Sequence, residues 1–364
     1  MTGKYITRRE FIKAAAAGLS LVYIQPLDSL FLKSTQNNIV QFPSAEKLGR
    51  VLDGRVPIKM RPNDESPDVG ELNIDDIVPW LREISGSRPL WLNQRFVEIP
   101  EGYVYAPNLQ PVYNLPNQPI SEMPKPEGFW VEVSVPFVDL VLANPPARSP
   151  WLKNTNTPRL YYSQIMWVDE IKVDETGQTW YRVMEKYGSF GDIFWVKGEA
   201  LRLIKDEEMT PISPEVQDKR VEVDLLHQTL SCFEGNNEVY FCRVSTGGKY
   251  DSEGNQSDKW ATPVGTHTIW RKLVSVHMTG GTTGGGYDLP GIGWTVLFSG
   301  KGMAIHSTFW HNSYGIAKSH GCVNARPEDA KWIFRWTLPV VDPDPGELTI
   351  SGEGSTKVFV KEQI

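Results

Sequence analysis

Glycine and proline interrupt this chain so often that long regular helices have little room in it. Its 364 residues include 31 glycines and 27 prolines. The apolar runs between them are short, which is the pattern of strands closed by turns rather than of amphipathic helices. Thirteen tryptophans add large side chains that suit a pleated surface. The chain is therefore expected to be mainly β. Its length accommodates two or three domains, each with a core of its own. A formal net charge of −7 and a pI near 5.5 argue against a nucleic-acid partner, which would call for a basic face.

The first residues read as an export signal. Thr7, Arg8, Arg9, Glu10, Phe11, Ile12 and Lys13 precede an apolar stretch over 14–24, the order of a basic region followed by a hydrophobic one. Twin arginines in that setting indicate a Tat-type signal, so residues 1–30 are expected to engage the Tat translocon and carry the chain out of the cytoplasm to the cell envelope. An apolar run this short falls below the roughly 20 residues of a spanning helix. No A-x-A cleavage site follows it, which leaves both cleavage and retention as an N-terminal membrane anchor open. No cysteine precedes Cys232, which argues against N-terminal lipid modification. Residues 31–48 are polar and weakly patterned, and read as a linker.

Two small β segments come next. Strand-like pieces occur at 49–53, 56–60, 77–84, 90–97 and 102–105. Residues 113–127 are proline-rich and lack an apolar period, so they read as a connector. A second β segment spans 128–210, with Trp180 to Val183, Phe194 to Val196, Leu201 and Arg202 as its clearest pieces. In the first segment the order of Gly-Arg-Val, Trp91 and Gly102-Tyr103-Val104 resembles bacterial SH3-like domains, and the Trp180 to Val183 and Phe194 to Val196 pieces of the second resemble parts of the same family. The resemblance implies two small barrels, at 49–112 and 128–210, that hold wall polymers or peptides.

The chemistry concentrates near the C-terminus. His306 stands 16 residues before Cys322, which lies inside Ser319, His320, Gly321, Cys322, Val323 and Asn324. A free thiol is mostly protonated at neutral pH, so a nucleophilic cysteine needs a nearby base. His306 can take the thiol proton and later return it to a leaving group, and Ser307 or its carbonyl can fix the ring tautomer. Gly321 lets backbone approach a substrate, with its N–H and that of Cys322 available to an oxyanion. His320, two residues from Cys322, competes with His306 as base on spacing alone. His311, beside Trp310, reads as a surface or lid residue.

The spacing of His306, Ser319, His320, Gly321, Cys322 and Asn324 resembles the signature of the YkuD-type L,D-transpeptidases. The match continues upstream through Val244 to Gly247 and Thr262 to Gly265, with 221–242 similar to the family's opening hairpin. Together these cover residues 219–338, and the catalytic domain is expected over 219–340. The resemblance implies a YkuD-like β-sandwich or barrel with a short helix after the cysteine and a final strand or tail over 341–364. It implies Cys322 as nucleophile, His306 as base, His320 as support, and peptidoglycan stem peptides as substrates joined in 3→3 cross-links. No cofactor is implied. Hydrolysis of the same acyl-enzyme, as an L,D-carboxypeptidase or endopeptidase, and a noncatalytic wall-binding protein are the competing readings. Zinc held by His306, His311, His320 and Cys322 lacks the paired ligand motifs such sites carry, so no metal is expected.

Three expectations complete the reading. The glycine-rich run 279–294 is expected to form a lid, with Tyr287 and Trp294 touching substrate together with Ser319 and Asn324. Cys232 and Cys242 flank an expected hairpin tip at 234–238, between strands 221–230 and 239–244. They are either two buried apolar residues or a disulfide, depending on register. Pro327, Glu328 and Asp329 open a helix whose packing face runs from Trp332 to Trp336.

Overall fold

Short strands closed by turns build the chain, as a computed structural model shows for residues 41–88, 93–153, 157–249, 255, 257–280 and 287–362. The expected export signal, most of the following linker and the centre of the glycine-rich run lie outside these residues. The fold is mainly β, with one substantial helix among the described residues, α1 (Pro327–Trp336), after the cysteine.

The first segment holds β1 (Leu48–Val51), β2 (Arg55–Lys59), β3 (Asp68–Asn73), β4 (Ile77–Pro79), β5 (Arg82–Ser85), β6 (Arg95–Ile99), β7 (Gly102–Tyr105) and β8 (Leu109–Val112). They form a three-stranded sheet, β4-β1-β8, and a five-stranded one, β3-β2-β7-β6-β5, around Val51, Val56, Ile58, Val97, Val104 and Leu109. The run expected as one strand over 77–84 is two, parted at Trp80 and Leu81. The proline-rich 113–127 carries no strand.

The second segment holds β9 (Phe129–Val133), β10 (Phe137–Asp139), β11 (Val141–Leu142), β12 (Arg159–Tyr161), β13 (Ile165–Val173), β14 (Thr179–Met184), β15 (Ile193–Lys197) and β16 (Leu201–Leu203). Six of these build the sheet β11-β15-β14-β13-β9-β16, while β10 and β12 pair separately.

The third segment opens with β17 (Lys219–Asp224), whose side chains alternate buried and half-buried, as a strand with one covered face requires. β18 (Thr229–Glu234), β19 (Asn237–Arg243), β20 (Gly265–Thr268) and β26 (Lys357–Lys361) join it as β19-β18-β17-β26-β20. The second sheet, β24-β23-β22-β21-β25, contains β21 (Arg271–Gly280), β22 (Tyr287–Leu297), β23 (Ala304–Ser307), β24 (Val323–Ala325) and β25 (Glu347–Thr349). Val221, Val223, Leu230 and Val358 from one sheet meet Val274, Trp294, Val296 and Ile305 from the other in one core, with Ile333, Phe334 and Trp336 of α1. α1 starts on Pro327, whose missing N–H costs nothing in the first turn. Its last carbonyls are taken up by buried Lys272, whose Nζ donates to Phe334 and Thr337, and to Pro339 just beyond.

Two expectations need correcting here. The run 221–230 is not one strand: it turns over 225–228, where Gln228 adopts φ 54°. The hairpin tip shrinks to Gly235 and Asn236, because Glu234 pairs with Asn237. In that register Cys232 faces Tyr240 and Cys242 faces Leu230, and both are free buried thiols. They serve as small apolar residues of the core.

Candidate active site

β23 and β24 run parallel, with Ile305 opposite Val323 and His306 opposite Asn324. This pairing brings together two motifs 16 residues apart in sequence, because Cys322 leads directly into β24 while His306 lies in β23. The cysteine is half-buried, and its sulfur accepts the N–H of Ala304. Burial pushes the thiol up to about 11, with that N–H pulling the other way. His306 is 2% exposed, and its Nδ1 lies 2.8 Å from the Ser307 carbonyl. A carbonyl only accepts, so Nδ1 carries the proton and Nε2 keeps a free lone pair. Burial holds this imidazole down to about 4, the Ser307 carbonyl opposing. Of the two roles expected at Ser307, the backbone takes the tautomer-fixing one, while its Oγ accepts the N–H of Gly293. Both partners are uncharged at neutral pH, an arrangement suited to proton transfer in step with attack on a carbonyl.

The segments singled out upstream converge on the same loop. Ser245 and Asn324 exchange backbone hydrogen bonds at 2.9 Å, and the N–H groups of Lys318 and Ser319 both donate to Thr246. Thr262 Oγ1 accepts the N–H of Gly247 and donates to the Gly321 carbonyl. A Cβ on Gly247 would stand 2.0 Å from the Trp260 carbonyl, so only glycine fits this approach. Gly321 has φ +113°, a conformation L side chains rarely adopt. Its N–H donates to Ser319 Oγ, which corrects its expected place at an oxyanion. Ser319 also donates to the Cys322 carbonyl, so this expected substrate contact braces the loop.

His320 points outward, its ring centroid 4.6 Å from Trp260 and 5.5 Å from Tyr287. Burial, then nearby Lys259, lowers this imidazole. Tyr287 is half-buried at the start of β22; burial and then Cys322 raise its phenol. The structure thus brings Tyr287, His320 and Cys322 together. It does not bring Trp294, which is 1% exposed and packs edge-on against Phe334. Trp294 is a core residue, because the run expected to be a lid over 279–294 is mostly the paired strands β21 and β22. The centre of that run, 281–286, lies outside the described residues.

Asn324 is also no open contact, being 2% exposed with its amide 2.8 Å from His311 Nε2. His311, expected at the surface, is buried at 3% exposure. Trp260, Met303 and His311 were missed as site residues. Trp260 reaches His320 and Met303 packs on Gly321 through tertiary folding alone, whereas the Trp-His-Asn run at 310–312 carried a local hint. Among the described residues no three His, Cys, Asp or Glu side chains are grouped to hold a metal ion.

A β-sandwich carrying an imidazole on one strand and a thiol at the entry to its parallel neighbour defines a candidate cysteine acyl-transfer site. Residues 218–360 match the YkuD family model, the L,D-transpeptidase catalytic domain, and this segment is a domain of that family. Over 92 residues the chain is 30% identical to Probable L,D-transpeptidase 3 of Mycobacterium tuberculosis (strain ATCC 25618 / H37Rv), a match covering 23% of this chain and 34% of that protein. The chain thus spans about a third of the length of this relative. It is similar to a solved L,D-transpeptidase of Enterococcus faecium at 23% identity and TM-score 0.30, over 41% of this chain and 51% of that one. The structure of L,D-transpeptidase 3 from Mycobacterium tuberculosis is 17% identical with TM-score 0.30, over 55% of this chain and 92% of that one.

Proposed function

We propose that this protein is an exported L,D-transpeptidase that forms 3→3 cross-links between peptidoglycan stem peptides. The observation that carries this reading is the pairing of β23 with β24, which sets Cys322 beside a strand whose His306 is locked with Nε2 free. In the proposed first step, His306 Nε2 takes the thiol proton as sulfur attacks the carbonyl of the third residue of a donor stem. The N–H of Cys322, now without Gly321 as companion, faces the oxyanion. Collapse expels a terminal D-alanine amine, protonated by His306, and leaves a thioester. The side-chain amine of an acceptor stem then attacks, gives its proton to His306, and releases the cross-linked dimer with the thiol restored. His320 and Tyr287 line the entry. The Tat-type signal delivers the enzyme to the cell envelope, and the SH3-like segments 49–112 and 128–210 hold it on wall polymer.

Incubation of the purified protein with a tetrapeptide stem, followed by intact-protein and product mass spectrometry, tests this. A thioester adduct on Cys322 and a stem dimer are expected, with both lost in Cys322→Ala. His306→Ala is expected to slow acylation by about a hundredfold or more. A tripeptide with no dimer would replace transfer by hydrolysis, and absence of any adduct would remove the enzymatic reading.

A further inference from the structure

His306 and Asn324 are register partners on adjacent strands, so their side chains stand side by side on one face of the sheet. The Asn324 amide meets His311 Nε2 through the atom assigned as Nδ2, and the atom assigned as Oδ1 is buried without a partner among the described residues, an assignment of oxygen and nitrogen that hydrogen bonding must decide. His311 decides which end is which. Its Nδ1 accepts the N–H of Ser313 at 3.1 Å. Burial holds the ring neutral, with its pKa down at about 3, so the single ring proton is on Nε2. A protonated Nε2 donates, and the Asn324 atom facing it is therefore the amide oxygen. The unpartnered end is then the N–H donor.

We propose that His311 is a positioning residue that holds the Asn324 amide oxygen and thereby reserves its N–H for the acyl group reacting between His306 and Cys322. An orphaned buried donor costs stability and invites a functional account. A reacting carbonyl or its oxyanion supplies the missing acceptor. This donor also replaces the one that Gly321 spends on Ser319. The holding device is itself rigid. Asn312 Nδ2 donates to the Ala106 carbonyl and Arg50 donates to the Phe309 carbonyl, so the first segment grips the loop on both sides of His311. Tyr314 packs against the His311 ring at 5.6 Å between centroids.

The inference rests on the proposed roles of Cys322 and His306, and the experiment separates the two. Single-turnover acylation by the tetrapeptide stem is followed by mass spectrometry beside alkylation of Cys322 by iodoacetamide, in the full chain. His311→Phe is expected to slow acylation by about tenfold to a hundredfold, with KM little changed and alkylation within about twofold of wild type. His311→Gln, whose amide still donates to the Asn324 oxygen, is expected to recover most of the rate. The double variant His311→Phe/Asn324→Ala is expected to be no slower than Asn324→Ala alone, because both changes remove one device. If His311→Phe does not fold, Asn324→Asp carries the test: it keeps the acceptor for His311, lacks the donor, and is expected to lose a similar factor. Wild-type acylation in His311→Phe, or a double variant as slow as the product of the two singles, overturns the inference alone. Alkylation of wild-type Cys322 without any acylation by the stem overturns the functional reading and this inference with it.

Discussion

At the residue scale, the meeting of the His306 and Cys322 segments was legible because both sit inside short motifs whose spacing survives without tertiary information. The protonation states of the two residues were not legible, since these depend on burial that a spacing cannot report. With the thiol near 11 and the imidazole near 4, the free protein favours the neutral thiol and the neutral imidazole at pH 7. Alkylation by iodoacetamide, which needs the thiolate, is therefore expected to rise about tenfold per pH unit from 7 to 10. A plateau near neutrality would instead reveal a preformed ion pair. Stability follows the same groups with a definite sign. His306 and His311 have folded values below their ordinary 6.5, so their neutral forms favour folding fully above pH 6.5. That contribution is lost as pH falls through about 4 and then about 3. Thermal midpoints are expected to decline from pH 6.5 toward 4, and His311→Gln is expected to flatten the decline.

At the element scale, strands with alternating faces were easy to place and those without were not. Asp68–Asn73 is an almost wholly exposed edge strand with no apolar alternation, and it left no signal. β22 is buried for most of its length, because the sheet's core side and α1 cover it, and its glycines disguised it as a loop. A charged node is among the contacts that bind this hairpin to the second segment. Buried His277 of β21 takes Glu185 on Nδ1 at 2.5 Å and Asp288 of β22 on Nε2, while Glu185 also accepts the N–H of Gly291. Asp288 adjoins Tyr287, so the node anchors the strand end beside His320. Burial lowers the His277 imidazole, but its two carboxylates outweigh that and leave it raised. A raised folded value stabilises fully below pH 6.5 and is lost as pH climbs through that value. The thermal midpoint of His277→Gln is thus expected to lie furthest below wild type at pH 6 and to converge on it as pH rises past the raised folded value. An offset independent of pH would mean that the node acts by packing alone.

At the scale of the whole molecule, residues Pro43–Ile364 form one compact unit, and the core under the active site is not confined to the family-matched segment. Trp130, Ile165, Trp167, Ile204 and Met209 belong to the same buried cluster as Val274, Trp294 and Val296. Trp130 Nε1 donates to the Pro343 carbonyl, and Ser275 Oγ donates to the Ile165 carbonyl. Such partners lie more than 100 residues apart and leave no local pattern, so the stretch between 210 and 219 reads in sequence as a plain boundary. Burying a tryptophan removes on the order of 200 Å² from water, about 5 kcal/mol at 25 cal/mol per Å². Two of them are comparable with the roughly 5–15 kcal/mol that holds an ordinary domain folded. A fragment spanning 211–364 is therefore expected to lack a cooperative thermal transition and to bind a hydrophobic dye, whereas 113–364 keeps both its transition and its dry core. Calorimetry of the two fragments beside the full chain decides it. A sharp transition in 211–364 within a few degrees of the full chain would show that the catalytic sandwich stands without its neighbour. Absence of that transition would make the second segment a structural part of the unit that holds Cys322 and His306.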